Sequence, residues 1–101
     1  MKYFTIDELT ASATARKDGI DNTPPAEARK ALVELVEAVL DPLREAWGKP
    51  IRVNSGYRSA KLNRKVGGAT TSQHLRGEAA DITTGTRSGN LSLYALLRQL
   101  Q

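Results

Sequence analysis

The chain has 101 residues, 40% of them hydrophobic and 26% charged, with no cysteine and a formal net charge of +4. That length suits one domain with a modest core, the missing cysteines exclude disulfide staples and thiolate metal sites, and no apolar run approaches the roughly 18 residues of a membrane span. The charge is lopsided, with 6 basic and 9 acidic residues in 1–48 against 9 basic and 2 acidic in 49–101.

The opening residues are too acidic and polar for a secretory leader, so the chain is expected to be made as a cytoplasmic protein. Thr5 to Glu8 fits a capping box and predicts a short helix start. Residues 11–22 lack periodicity, and Asp18-Gly19 with Asp21-Asn22 reads as loop and turn chemistry. Thr23 then serves as the predicted N-cap of the strongest helix, with Pro24 in its first turn. Leu32, Leu35, Val36, Val39, Leu43 and Trp47 recur at steps of three and four and form one apolar stripe. Pro42 should kink this helix without dividing it, because the stripe keeps its phase across the proline. Gly48 and Pro50 mark its end.

In the second half, Ile51 to Asn54 alternates as a strand and Ser59 to Val66 reads as a short helix. Residues 69–77 form a polar loop, and Glu78 to Thr83 make a second strand. Ser88 or Asn90 should cap a last helix built on Leu91, Tyr94, Leu97 and Leu100. The expected fold class is α+β, N-terminal helices packed on a small, mainly antiparallel sheet within one domain over 1–101.

The chemistry concentrates around the one histidine, His74. An isolated histidine in a loop is most often a hydrogen-bonding residue, but its surroundings here are suggestive. If 78–83 is a strand, Asp81 lies on one face with Ala79, an acid among small and apolar neighbours that needs a cation or a partner. Gly77 allows a backbone reversal that brings His74 beside it. One imidazole and one carboxylate make two-thirds of a catalytic zinc site, which takes three protein ligands and an open water position. The same alternation turns Glu78 away from that site.

Ser72, His74, Gly77, Ala79 and Asp81 together spell Ser-x-His-x-x-Gly-x-Ala-x-Asp, which resembles the signature of the zinc D-alanyl-D-alanine carboxypeptidases. Their relatives include vancomycin-resistance D,D-dipeptidases, phage endolysin peptidases and the Hedgehog signalling domain. Ser55-Gly56-Tyr57-Arg58-Ser59 resembles the family's upstream motif, and 4–9 and 19–25 are similar to its bacterial and prophage branch. The resemblance implies zinc ligation by His74 and Asp81, binding of the substrate carboxylate or oxyanion by Arg58, and a substrate hydrogen bond from Ser72. It also implies a third ligand, a His, with a catalytic Glu or Asp, on a strand beyond the last helix. The sequence stops before any such pair, so the chain as given is expected to be incomplete or inactive as a peptidase, with zinc absent or weakly held; truncation is the favoured explanation, ahead of a segment supplied by a second chain or a scaffold that only binds. The lost strand would leave a sheet edge open to self-association.

The implied function is zinc-dependent hydrolysis of peptide bonds next to D-amino acids in bacterial cell-wall peptides, acting on the wall after release. The alternative is a non-catalytic module that grips wall peptide or polymer through Arg58 and the acid-free stretch from Lys49 to Arg76. Nucleic-acid binding has the charge alone behind it and lacks interleaved aromatics, so neither nucleic acid nor membrane is an expected partner.

Overall fold

The computed structural model describes residues 1–100. It is an α+β fold, with helices gathered around a two-stranded antiparallel sheet. Helix α1 (Ile6–Thr10) opens on the expected capping box: Thr5 Oγ1 accepts from the Glu8 amide, and the Glu8 carboxylate accepts from the Thr5 amide. Helix α2 (Ala13–Asp18) occupies the segment read from sequence as loop. Ser12 caps it through the Ala15 amide and Gly19 closes it, yet only Ala15 is buried, which leaves no periodic signal to find.

Helix α3 (Ala26–Leu35) starts later than expected; Pro25 is its N-cap and Thr23 lies outside it. From Leu35 the right-handed helical backbone runs unbroken through a π-helical turn (Val36–Leu40) into α4 (Asp41–Trp47). The wide turn explains how Pro42 is accommodated. A proline in a helix has no N–H to donate and crowds the carbonyl four residues back, and the i→i−5 bond from Asp41 N–H to the Val36 carbonyl relaxes the coil just before it. The predicted stripe then does its work, for Leu32, Val36 and Leu43 are completely buried. On the far side the Asp41 carboxylate accepts from the Lys2 and Tyr3 amides, and Arg44 stacks 4.7 Å over the Tyr3 ring, so the N-terminal segment lies against this helix.

Strand β1 (Arg52–Ser55) pairs with β2 (Asp81–Thr83), with an irregularity between Val53 and Ser55 that sets Ser55 opposite Asp81. Strand β2 is half the predicted length, beginning only at Asp81. Between the strands lie α5 (Ala60–Lys65), capped by Ser59, and a 3₁₀ turn (Gln73–Arg76) inside the predicted loop.

The last helix, α6 (Arg87–Gln99), is capped by Thr86 rather than by Ser88 or Asn90. Asn90 instead accepts from the Thr84 amide and hydroxyl and donates to the Thr83 hydroxyl, holding β2 to α6. Of the predicted face only Leu97 packs inward, partly buried with Leu96 beside core residue Leu93, while Leu91, Tyr94 and Leu100 are 64%, 61% and 49% exposed. Phe4, Leu9, Leu32, Val36, Leu40, Leu43, Ile51, Tyr57 and Leu93 belong to one hydrophobic cluster joining both halves of the chain. Among the described residues no helix is long and apolar enough to cross a membrane.

Candidate metal and substrate site

Two close backbone approaches build the site. Where β1 ends, the Tyr57 amide donates to the Leu9 carbonyl at 2.7 Å, and a Cβ on Gly56 would lie 2.2 Å from that same oxygen, so only glycine lets the chain pass α1 so closely. The second is Gly77, which ends the 3₁₀ turn in the left-handed conformation (φ 73°). A Cβ there would meet the Ala28 carbonyl oxygen at 2.4 Å, so the turn is seated directly on α3. These contacts fix Gly56 and His74, 18 residues apart, against each other.

The His74 Nδ1 lies 2.6 Å from the Gly56 carbonyl oxygen. A carbonyl only accepts, so Nδ1 carries the proton and, in the neutral ring, the lone pair sits on Nε2. Nε2 is 3.5 Å from Asp81 Oδ2, with the imidazole 12% and the carboxylate 64% exposed. The pair predicted to come together across Gly77 is therefore adjacent, but Asp81 faces solvent and is not the acid in apolar surroundings read from sequence. The short β2 explains the difference, since its alternation starts at Asp81 and does not govern Ala79 or Glu78. Glu78 instead pairs with Arg76, Nε to Oε1 2.7 Å.

Arg58 follows the same crossing. Its amide donates to the His74 carbonyl at 3.0 Å and its Nη2 donates to Ser72 Oγ at 3.3 Å. Ser72 Oγ also caps the 3₁₀ turn by accepting from the His74 amide at 3.2 Å. All four sequence-predicted residues, Arg58, Ser72, His74 and Asp81, thus lie in one chain of contacts. A cleft of about 460 Å³ opens beside Arg58, walled by α2, the end of β1 and α5. Four of the seven basic residues of 49–76 are engaged: Lys49 stacks on Trp47, Lys65 pairs with Asp18, Arg76 with Glu78, and Arg58 with Ser72.

Sequence reading missed two asparagines. Asn22, taken as turn chemistry, donates through Nδ2 to the Thr10 and Tyr57 carbonyls and accepts from the Ser59 amide at 2.7 Å, tying α1, the exit of β1 and the start of α5 together. Asn63 is 2% exposed under the loop that carries Ser72. A polar residue at a core position of α5, between buried Leu62 and the exposed basic residues, was the available signal for it.

The donor set suits zinc in part. Around a tetrahedral zinc with bonds of about 2.0–2.1 Å, neighbouring ligand atoms sit roughly 3.4 Å apart, close to the observed 3.5 Å between Nε2 and Oδ2. The bond from Nδ1 to a backbone carbonyl is the support that metal-binding histidines commonly have. Among the described residues no group of three His, Cys, Asp or Glu side chains comes together, so only the two donors His74 and Asp81 could serve such a site.

The chain is 40% identical over 85 residues to the zinc D-Ala-D-Ala carboxypeptidase of Streptomyces albus G, an alignment covering 83% of this chain and 32% of that protein. The chain therefore spans about a third of the length of the curated relative it matches. No solved structure matches it. The sequence model of the peptidase M15 family matches residues 2–100, and the chain belongs to that family.

Proposed function

We propose that this chain is the site-bearing part of a zinc-dependent peptidase that hydrolyses peptide bonds next to D-amino acids in bacterial cell-wall peptides. The single observation behind this reading is the His74 and Asp81 pair, 3.5 Å apart with the imidazole oriented by Gly56. His74 and Asp81 would hold the ion, with a third donor from outside the described residues. Zinc, when bound, polarises a scissile carbonyl and brings the pKa of its water towards ~7. Arg58 meets the carboxylate of the peptide or the charge developing on its carbonyl oxygen, an interaction of the kind worth about 10²–10³ in rate. Ser72 orients that guanidinium and offers its hydroxyl to the substrate. The name of the Streptomyces albus G relative, a D-Ala-D-Ala carboxypeptidase, points to a substrate ending in D-Ala-D-Ala.

The second reading, a wall-peptide-binding module without catalysis, is favoured by the two-membered ligand set of the described residues. Calorimetric zinc titration and release of D-alanine from an acetylated peptide ending in D-Ala-D-Ala separate the two. The peptidase reading expects weak zinc uptake that disappears in His74→Ala and Asp81→Ala, and zinc-dependent cleavage in a longer protein that also carries the third donor and a catalytic acid. Retention on cell-wall material that falls with salt and with Arg58→Ala, without zinc uptake or bond cleavage, would replace it with the binding module.

A further inference from the structure

Two buried polar atoms near the site lack partners among the described residues, and they are complementary: the donor Arg58 Nε and the acceptor Asn63 Oδ1. Unpaired buried groups cost about 1–3 kcal/mol each, so two in one neighbourhood call for an explanation. The orientation of the Asn63 amide is set by its other end, since Nδ2 donates to the Ala69 carbonyl at 2.9 Å and a carbonyl only accepts. Oδ1 is therefore the atom left facing inward. Gly68 shows what it faces. A Cβ on Gly68 would lie 2.1 Å from Asn63 Oδ1 and 3.3 Å from Arg58 Nη2, so the amide oxygen and the guanidinium flank the same small space, which any side chain would fill. The Gly68 amide donates to the Asn63 backbone carbonyl at 2.8 Å, which keeps the glycine there.

We propose that Asn63 is the positioning residue for Arg58: its buried carbonyl dipole, set across the side-chain-free Gly68, holds the guanidinium turned toward Ser72 and the His74–Asp81 pair. Asn63 touches neither ion nor substrate. Its Nδ2 is tied to the Ala69 carbonyl, and its Oδ1 lies across Gly68 from the arginine. In a low-dielectric interior an oriented amide oxygen beside a cation is worth more than at the surface. This inference rests on the reading of Arg58 as the residue that receives the peptide carboxylate.

The test reads the arginine directly. In ¹⁵N-labelled protein the Arg58 Nε–H should exchange with solvent at least tenfold more slowly than those of exposed Arg52 and Arg64; exchange as fast as theirs overturns the proposal without any variant being made. In Asn63→Ala that signal should shift and lose its protection, and the affinity for acetyl-D-Ala-D-Ala should fall about tenfold. In an Arg58→Lys background the same substitution should cost no affinity. An Asn63→Ala protein that is folded by circular dichroism and keeps both the Arg58 signal and the affinity overturns the inference, as does an equal loss in the Arg58→Lys background. If wild-type protein binds no such peptide, the proposed function fails while the exchange measurement still decides the role of Asn63.

Discussion

Gly77→Ala probes the link between scaffold and site. Gly77 is in the left-handed region at φ 73°, and a Cβ there would sit 2.4 Å from the Ala28 carbonyl oxygen and 3.1 Å from Leu32 Cγ. The left-handed conformation alone costs a residue with a Cβ about 1–2 kcal/mol. Relieving the overlap requires moving the backbone of α3, and forced repacking of that kind costs about 1–3 kcal/mol. The sum is about 2–5 kcal/mol, a large share of the stability of a small domain. Gly19→Ala is the control, because its φ of 64° is similar while nothing lies within 4 Å of its Cβ position. Urea unfolding followed by circular dichroism measures both. With a slope of about 1–3 kcal/mol per molar, Gly77→Ala should lower the midpoint by about 0.7 M or more and Gly19→Ala by clearly less. Equal losses would refute the reasoning, because they would leave only backbone strain and no contact between the turn and α3.

Asn22→Ala removes three hydrogen bonds to partly buried backbone groups and should destabilise by about 2–4 kcal/mol in the same assay; a loss below about 0.5 kcal/mol would make the clasp unimportant. Leu32→Ala, at a site with no exposure, should cost about 2–5 kcal/mol in thermal or urea unfolding. Burial, and secondarily the charge of Asp21, raises the Tyr57 hydroxyl above its ordinary value of 10.0. The folded state thus disfavours the phenolate, so this contribution to stability is complete below pH 10 and is lost as pH rises through the folded value. Tyr57→Phe should flatten the decline of stability on the alkaline side, and an unchanged alkaline profile would count against it.

What could be read from the sequence follows a physical division. The capping box at Thr5 and Glu8 was legible because both partners are local. The stripe from Leu32 to Leu43 was legible because it is long enough to average out exceptions. Helix α2 was not, since six residues that bury only Ala15 carry no periodicity. In α6 Leu97 was read correctly, but the choice of Leu93 and Leu96 over Leu91 and Tyr94 is made by packing of the helix on α4 and the core, which no local spacing encodes. At the site, the residue types and the Gly77 reversal were readable, and so was the convergence of His74 with Asp81. The exposure of Asp81 was not, because it depends on where β2 begins. Nor were Asn22 and Asn63, whose partners lie in other elements or in a loop defined only by the fold.

The chain contains a single histidine, so its ring nitrogens give unambiguous NMR signals. Long-range ¹H–¹⁵N spectra of His74 during zinc addition test most directly whether His74 and Asp81 share a cation. Nε2 should move to a metal-bound position, Nδ1 should keep its proton on the Gly56 carbonyl, and Asp81→Ala should need far more zinc for the same change. A ring that ignores zinc, or that responds identically without the Asp81 carboxylate, would contradict a shared cation.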